Sequence, residues 1–451
     1  MDQRTLAMVV HSLGIAERLP ARVFHSAVTD SRSVTRNDLF FALPGAKTDG
    51  HAYLEGVAAK GAVAAVVSES YRGPDHGLIL IKVPDVLGAL QTIAKKRIEA
   101  WQPPIVAVTG SVGKTTTKEF IATLLGARFK VGKAPGNANS QVGLATTILN
   151  LRGDEETLVL EMGMTEAGNI AKLVTIAPPT HAVITKIGMA HAGNFADGIE
   201  GVAAAKAEIL SCARTKLAII GMDAWRFEQV QKAGSCARLT AGCFPVDADF
   251  VLVPEGKGWK VREGGKMSPI FQLPFTASHF LENFSIAIAV ARSLGLEWEE
   301  IIPQFGLLQS TGNRFAHVTI DGALFINDSY NAGPESVRAA LDNLPVPAGQ
   351  GRRIAVLGGM TVDLGPTSDS LHVEVAHHAL KKADLFFCYG PGAEPMKEVF
   401  EEAGRLCLFT EDMGELQRGV FSFVQPGDVI LVKGANRYAM WQLLEKDGKT
   451  P

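Results

Sequence analysis

Gly110-Ser111-Val112-Gly113-Lys114-Thr115-Thr116 stands between an apolar run at 105–109 and a helical pattern at 117–125. Glycines at this spacing let backbone N–H groups turn inward around phosphate oxygens. The start of the following helix adds partial positive charge at the same place. Lys114 can then reach β- and γ-phosphates, and the Thr115 hydroxyl can ligate Mg²⁺. The common pattern is GxxxxGK[ST], but position 108, where its first glycine would fall, is Val. The loop is therefore a shortened GxxGK[ST]. Strand, glycines, lysine and helix together predict that it binds a nucleotide phosphate.

Three further residues could work beside it. Glu161 closes an apolar strand at 158–161. The C-terminal edge of an α/β sheet is where ligands bind, so this carboxylate is a candidate Mg²⁺ ligand; the alternative is an ordinary strand-end Glu. His191 follows a strand at 182–185 and should reach the same edge. Magnesium prefers oxygen donors, so a loop histidine bonded to its surroundings stays the default for it. Lys206 lies on an otherwise apolar helix, Ala203-Ala204-Ala205-Lys206-Ala207-Glu208. It is either a solvated surface lysine or a buried amine, and a buried ammonium near metal and phosphates is costly unless its chemistry changes.

The elements that must hold these residues fall into three groups. The first hundred residues show strands at 62–68 and 78–83 and helical patterns at 51–60 and 87–100. Pro103-Pro104 then breaks the chain. Strands at 105–109, 158–161, 182–185 and 217–221 alternate with helices, which argues for a mostly parallel sheet covered on both faces. A Gly-rich hairpin at 249–272 and a helix at 280–294 follow. Strands at 325–327, 354–357, 385–389 and 429–432 repeat the alternation. A second boundary falls near Thr311 to Asn313. The expected units are 1–102, 103–312 and 313–451, all of α/β class.

Composition bounds the rest. At 451 residues the chain has room for about three domains. It carries 47% hydrophobic and 20% charged residues, an ordinary globular balance. The net charge of −3 argues against a large nucleic-acid footprint. No run reaches the length of a membrane span, and Asp2 before the first apolar patch does not read as a signal peptide. Five cysteines without a CxxC pair fit a reducing cytoplasm better than a disulfide framework or a zinc site. Nothing demands more than a monomer.

The ordered set of motifs resembles the Mur ligase family along nearly the whole chain. Asp30-Ser31-Arg32, the run from Asp38 to Gly45 and Asp49-Gly50-His51 are similar to that family's UDP-sugar-binding domain. The short phosphate loop matches its TGxxGKT form. Gly136-Asn137-Ala138-Asn139 with Gly143 matches its GNxN stretch. The resemblance implies Mg²⁺ at two sites, with Thr115, Glu161, His191 and Lys206 as ligands and Lys206 carbamylated. It implies that Asn283, on a helix also bearing His279, contacts adenine, and that Arg314 reaches the γ-phosphate of ATP. Asp328-Ser329-Tyr330-Asn331-Ala332-Gly333-Pro334 resembles the DSYNANP run of the family's dipeptide-adding branch. There Asp328 would serve the nucleotide, and Ser329, Tyr330 and Asn331 the substrates. Ser31, Arg32, Asp49, Gly50, His51, Asn137 and Asn139 would also bind substrate.

The implied fold is a small UDP-sugar domain, a central P-loop domain and a C-terminal Rossmann-like domain. The implied reaction is ATP-driven joining of D-alanyl-D-alanine to UDP-N-acetylmuramoyl-tripeptide in the cytoplasm. Val112, Phe280, Gly333, Gly359, Asp363 and Ala435 depart from the family pattern. Rival readings are a sister ligase adding one amino acid to a UDP-linked dipeptide, a folate-type ligase, a nucleotide-binding scaffold without turnover, and a simple P-loop hydrolase or kinase.

Overall fold

The computed structural model describes residues 4–16, 19–45, 48–309 and 312–445. Asp2 and Thr311, used above, lie outside them. Three sheets follow one another along the chain. Strands β1 (Ala27–Val28), β2 (Leu39–Phe41), β3 (Ala64–Ser68) and β4 (Ile79–Val83) form a parallel sheet in chain order. The helix Val86–Trp101 follows, its first turn capped by Asp85, whose carboxylate accepts from Leu87 N at 3.0 Å.

The middle sheet has nine strands. They are β5 (Ile105–Thr109), β6 (Val131–Lys133), β7 (Thr157–Glu161), β8 (His181–Ile184), β9 (Leu217–Gly221), β10 (Ala237–Cys243), β11 (Phe250–Glu255), β12 (Gly258–Glu263) and β13 (Lys266–Met267). Their spatial order is β13-β12-β11-β10-β9-β8-β5-β7-β6. The pairs from β6 to β11 are parallel, and β12 and β13 add antiparallel at the edge. All five residues of β5 and of β7 are buried, as strands covered on both faces require. β5 lies between β7 and β8, where the strand order reverses, so the loop after it opens at a topological switch point.

The third sheet contains β14 (Ala316–Ile320), β15 (Ala323–Asn327), β16 (Arg353–Gly358), β17 (Leu385–Tyr389), β18 (Cys407–Thr410) and β19 (Val429–Lys433). Its order is β14-β15-β19-β16-β17-β18, parallel except for the β14–β15 hairpin.

Most of the strands of five residues or more stand where the apolar runs place them. The hairpin expected at 249–272 is β11–β12, and it extends the middle sheet. The phosphate-loop helix, Lys114–Leu125, starts three residues earlier than the pattern at 117 suggests. The helix expected over 51–60 is a 3-10 turn, Gly50–Tyr53, running into the short helix Leu54–Ala59. β1, β2, β6, β10, β14 and β18 have no counterpart among the expected strands. The first three are too short for a repeat of two to register. β10 reads Ala-Arg-Leu-Thr-Ala-Gly-Cys, an alternation whose apolar residues are mostly small and so give a weak signal.

Candidate active site

The loop after β5 is held from three sides. Gly110 has φ +148, and a Cβ there would overlap the Thr185 hydroxyl. Gly113 has φ +88, and a Cβ there would overlap Asn283 Oδ1. Only glycine fits at either place. Ser111 N donates to Lys186 O at 2.6 Å, and the Thr185 hydroxyl donates to Val112 O at 2.6 Å. The Ser111 hydroxyl donates to Gly188 O at 3.1 Å and accepts from Gly188 N at 2.9 Å. Lys114 curls back over the loop, its Nζ donating to Gly110 O at 2.7 Å and Ser111 O at 3.3 Å. Burial pushes its ammonium below the usual lysine range; Glu161 opposes this shift and Arg314 adds to it.

Beside the loop, oxygen donors converge. The Thr115 hydroxyl donates to Glu161 Oε2 at 2.7 Å, and Asn139 Nδ2 donates to Glu161 Oε1 at 2.7 Å. Glu161 is buried at the end of β7, as its strand-end position predicts. Asn137 and Asn139 stand on a loop anchored by Lys118, whose fully buried ammonium donates to Ala134 O and Gly136 O, both at 2.7 Å. Lys118 lies four residues after Lys114 on the same helix, and that spacing is the one sequence signal that could have marked it.

His191 and Lys206 reach the same edge. His191 adopts φ +69, a left-handed conformation rare outside glycine, and its Nδ1 meets Asp363 Oδ2 at 2.7 Å. Lys206 is buried, so the solvated-surface alternative is excluded. Its burial drives the pKa well below the ordinary lysine value; the neighbouring Lys114 pushes the same way and Glu161 opposes. Among the described residues no three His, Cys, Asp or Glu side chains form a metal cluster. The donors at hand are instead a hydroxyl, a carboxylate, an imidazole and an amine. The two oxygens suit a hard cation such as Mg²⁺.

The C-terminal unit completes the site. Arg314 Nη2 donates to Thr115 Oγ1 at 3.2 Å, and its guanidinium lies 3.6 Å over the Tyr330 ring. Asp328 accepts from Phe315 N at 3.0 Å and from Lys433 Nζ at 2.5 Å. Lys433, buried at the end of β19, also donates to Asn331 O at 3.0 Å. Phe315 itself has φ +55. The chain just after Arg314 is thus held in an unfavourable bend at Phe315 by the Asp328 carboxylate that Lys433 pairs with, the kind of strain found where geometry matters to function.

A cavity of about 1300 Å³ runs along this edge. Ser111 to Thr116, Asn137, Asn139, Glu161, His191, Lys206, Asn283, Arg314, Asp328, Tyr330 and Asn331 all line it. Gly110 lies behind the loop and shapes it without lining the cavity. At the other end of the cavity stand Lys186 paired with Asp223, Glu282, and His279 with an unpartnered Nδ1.

Two sets of the expected residues lie away from this cavity. Ser329 does not face the cavity: it is fully buried, and its hydroxyl donates to Asn327 Oδ1 at 2.6 Å, so it braces the loop from behind. Ser31, Arg32, Asp49, Gly50 and His51 do not join the cavity either; among the described residues Leu87 is the sole contribution from before Pro103. Asp49 Oδ1 accepts from His51 N and pairs with His51 Nδ1 at 2.6 Å, while His51 Nε2 accepts from Ser68 N at 2.9 Å. These bonds hold the turn in shape. Asp363, Lys433 and Glu335 belong to the site; the sequence marks Asp363 only as a departure from a pattern.

Fold and site together describe an ATP-using α/β enzyme whose centre is split between two units. Residues 23–98 match the Mur ligase family catalytic domain, 108–291 the Mur ligase middle domain, and 313–436 the Mur ligase glutamate ligase domain. The chain belongs to the Mur ligase family. It is 33% identical over 435 residues to the UDP-N-acetylmuramoyl-tripeptide–D-alanyl-D-alanine ligase of Bacillus subtilis, covering 94% of this chain and 93% of that one. The fold resembles the crystal structure of MurF from Acinetobacter baumannii, with TM-score 0.86, 27% identity and 98% of each chain covered. It also resembles MurF from Thermotoga maritima in complex with ADP, with TM-score 0.77, 26% identity, and 94% and 97% covered.

Proposed function

We propose that this chain joins D-alanyl-D-alanine to UDP-N-acetylmuramoyl-tripeptide at the expense of ATP, giving the UDP-N-acetylmuramoyl-pentapeptide of peptidoglycan synthesis. The observation that carries the reading is Arg314, a cation from the C-terminal unit that meets Thr115 of the phosphate loop. A hydrolase or kinase of simple P-loop type has no need of this second unit. The relatives' names supply the substrates.

A carboxylate is a poor acylating agent at neutral pH. The tripeptide's terminal carboxylate attacks the γ-phosphorus, giving an acyl phosphate and ADP. The dipeptide's amine then attacks the acyl carbon, and phosphate leaves. Catalysis is positioning and charge neutralisation. Lys114 and Arg314 neutralise the transferring phosphoryl group, and docking of the two units keeps water from the acyl phosphate. Asn283 and Asp328 hold the adenosine part of ATP, with the backbone of 110–116 around its phosphates. Asn137, Asn139, Tyr330 and Asn331 face the reacting ends of the two peptides. The turns at Ser31 and Arg32 and at Asp49 to His51 lie outside the cavity, on the unit that takes the UDP end.

Thr115 and Glu161 hold one Mg²⁺, and His191 with carbamylated Lys206 a second. Magnesium at these places supplies positive charge that lets two anions approach. Carbamylation needs an unprotonated amine to attack carbon dioxide; a proton is released and an oxygen-bearing anion results. The desolvated Lys206 is such an amine. The chain is divided at 102/103 and 312/313, and it works as a cytoplasmic monomer without nucleic-acid partners. No helix among the described residues is long and apolar enough to cross a membrane.

The test is phosphate release from MgATP with UDP-N-acetylmuramoyl-tripeptide, with and without D-alanyl-D-alanine, the product followed by mass. Release dependent on the dipeptide with stoichiometric pentapeptide is expected. Release with a free amino acid instead would move the chain to a sister activity. Lys206→Ala should lower kcat about 100- to 1000-fold, the scale of losing one preorganised electrostatic group. Partial rescue by added short carboxylic acids is expected, and full activity without them would exclude the carbamate.

A further inference from the structure

We propose that residues 188–194 form a docking clamp gripped by two carboxylates of the C-terminal unit, and that Asp363 is a positioning residue for His191 that acts only when the units are docked. The proposal rests on the function given above. The segment is tied to the phosphate loop at one end, through the paired Ser111–Gly188 bonds at 3.1 and 2.9 Å. From the C-terminal unit, Glu335 Oε1 accepts from Met189 N at 3.0 Å, and Asp363 Oδ2 meets His191 Nδ1 at 2.7 Å. The other Glu335 oxygen is buried with no hydrogen-bond partner, so this carboxylate is committed to the clamp at a cost.

Three glycines make the approach possible. A Cβ on Gly188 would come within 2.7 Å of Glu335 Cδ. A Cβ on Gly193 would overlap Gly365 N, and one on Gly365 would lie 2.8 Å from Gly193 Cα. Backbone therefore meets backbone across the boundary, between the turns Ala192–Asn194 and Val362–Thr367. Gly365, at φ +62, and His191, at φ +69, are both left-handed there. This contact sets the reach of Asp363, whose short side chain spans the remaining gap.

The chemical consequence concerns the imidazole. A carboxylate at Nδ1 holds the proton on that nitrogen and leaves Nε2 with its lone pair, turned by the same bond into a single orientation. The partner comes from the opposite unit, so His191 is fixed only in the docked state. Docking and completion of the metal-facing side chain are one event, and ATP held by the phosphate loop alone meets an unfinished site.

Two variants separate this from a mere brace. Gly193→Ala removes no functional group but blocks the backbone approach. Asp363→Ala removes the carboxylate and leaves the approach free. The readouts are compaction by small-angle scattering with a non-hydrolysable ATP analogue and UDP-N-acetylmuramoyl-tripeptide, Mn²⁺ affinity by electron paramagnetic resonance in that complex, and steady-state kinetics. Gly193→Ala should fail to compact and lose about 100-fold in kcat, the scale of a misplacement near 1 Å. Asp363→Ala should compact as wild type does, yet bind Mn²⁺ about 10- to 100-fold more weakly, with Asp363→Glu recovering most of the affinity. A Gly193→Ala protein that compacts and turns over normally overturns the clamp. An Asp363→Ala protein with wild-type Mn²⁺ affinity overturns the positioning role. Failure of the wild type to make pentapeptide would instead strike the proposed function, because the scattering and Mn²⁺ arms do not depend on that product.

Discussion

At the first boundary of the middle unit the helix Val86–Trp101 lies against the helix Gln141–Asn150 in one continuous apolar core that includes Leu90, Ile93, Ile98, Leu144 and Ile148. The buried Arg97 donates to the carbonyls of Ile148, Leu149 and Leu151, at 3.1, 2.6 and 2.6 Å. Asn150 closes both backbone groups of Ala27. At the second boundary buried apolar side chains also run on without a break, from Phe280 and Phe284 to Phe315, Ala332 and Val337, but the links at the site itself are polar: Arg314 on Thr115, Asp363 on His191, Glu335 on Met189 N and Asn343 on Ser278. Apolar contact there includes Phe315 against Phe280 and His279. A seam of buried aliphatic side chains, each contributing about 1.5–3 kcal/mol, does not open during turnover. A seam of charge-assisted bonds to groups that a nucleotide also engages can open and close. The first boundary fixes where the N-terminal unit stands, and the polar links of the second bear on when the proposed chemistry is complete.

Substitutions at three residues probe this contrast, in descending order of expected effect. Arg314→Ala should lower kcat about 100- to 1000-fold and leave the thermal unfolding midpoint near that of the wild type, read by turnover and calorimetry. Arg314→Lys should rescue little, because a point charge cannot keep both the stack on Tyr330 and the bond to Thr115. A large fall in the unfolding midpoint would mean that the second seam is as permanent as the first.

Arg97→Ala should do the reverse. Stranding three buried carbonyls should destabilise the protein by about 3 kcal/mol, seen as an earlier calorimetric transition, while the folded fraction keeps its kcat. A kcat loss larger than the loss of folded protein would show that the first boundary also moves in catalysis.

The smallest effect is a pH dependence. Burial pushes the His279 imidazole down to about 4, from the ordinary 6.5. Between those two values the unfolded chain takes up a proton that the folded one refuses, so stability falls as the pH drops below about 6.5 and levels off below about 4. At pH 5 this residue should cost about 2 kcal/mol relative to pH 7. His279→Gln should therefore narrow the gap between unfolding midpoints measured at pH 7 and pH 5. An unchanged gap would place His279 in solvent contact, and the second seam would be more open than its aromatic packing indicates.

The parts of this protein legible in its sequence are those that local chain geometry dictates. Residues 110–116 are contiguous, their glycines take conformations that glycine alone adopts easily, and the buried strands β5 and β7 announce themselves as apolar runs. Strand-end Glu161 and the helix bearing Lys206 could be placed by the same logic, although only burial distinguishes a working lysine from a surface one. Ser329 shows the limit of a motif read along the chain: its neighbours Asp328 and Tyr330 face the cavity, while its own hydroxyl turns inward to Asn327.

The pairings that finish the site lie beyond local pattern. Asp363 meets His191 across 172 residues, and Arg314 meets Thr115 across 199. Each depends on how two units distant along the chain come to rest against one another. The sequence determined the phosphate loop, the parallel sheets and the residue types available for catalysis, because these follow from backbone freedom, periodicity and side-chain chemistry. Only the tertiary structure decided which carboxylate orients His191, which residues face the cavity, and that glycine pairs at the second boundary let the units meet, because those outcomes depend on where distant backbones pack.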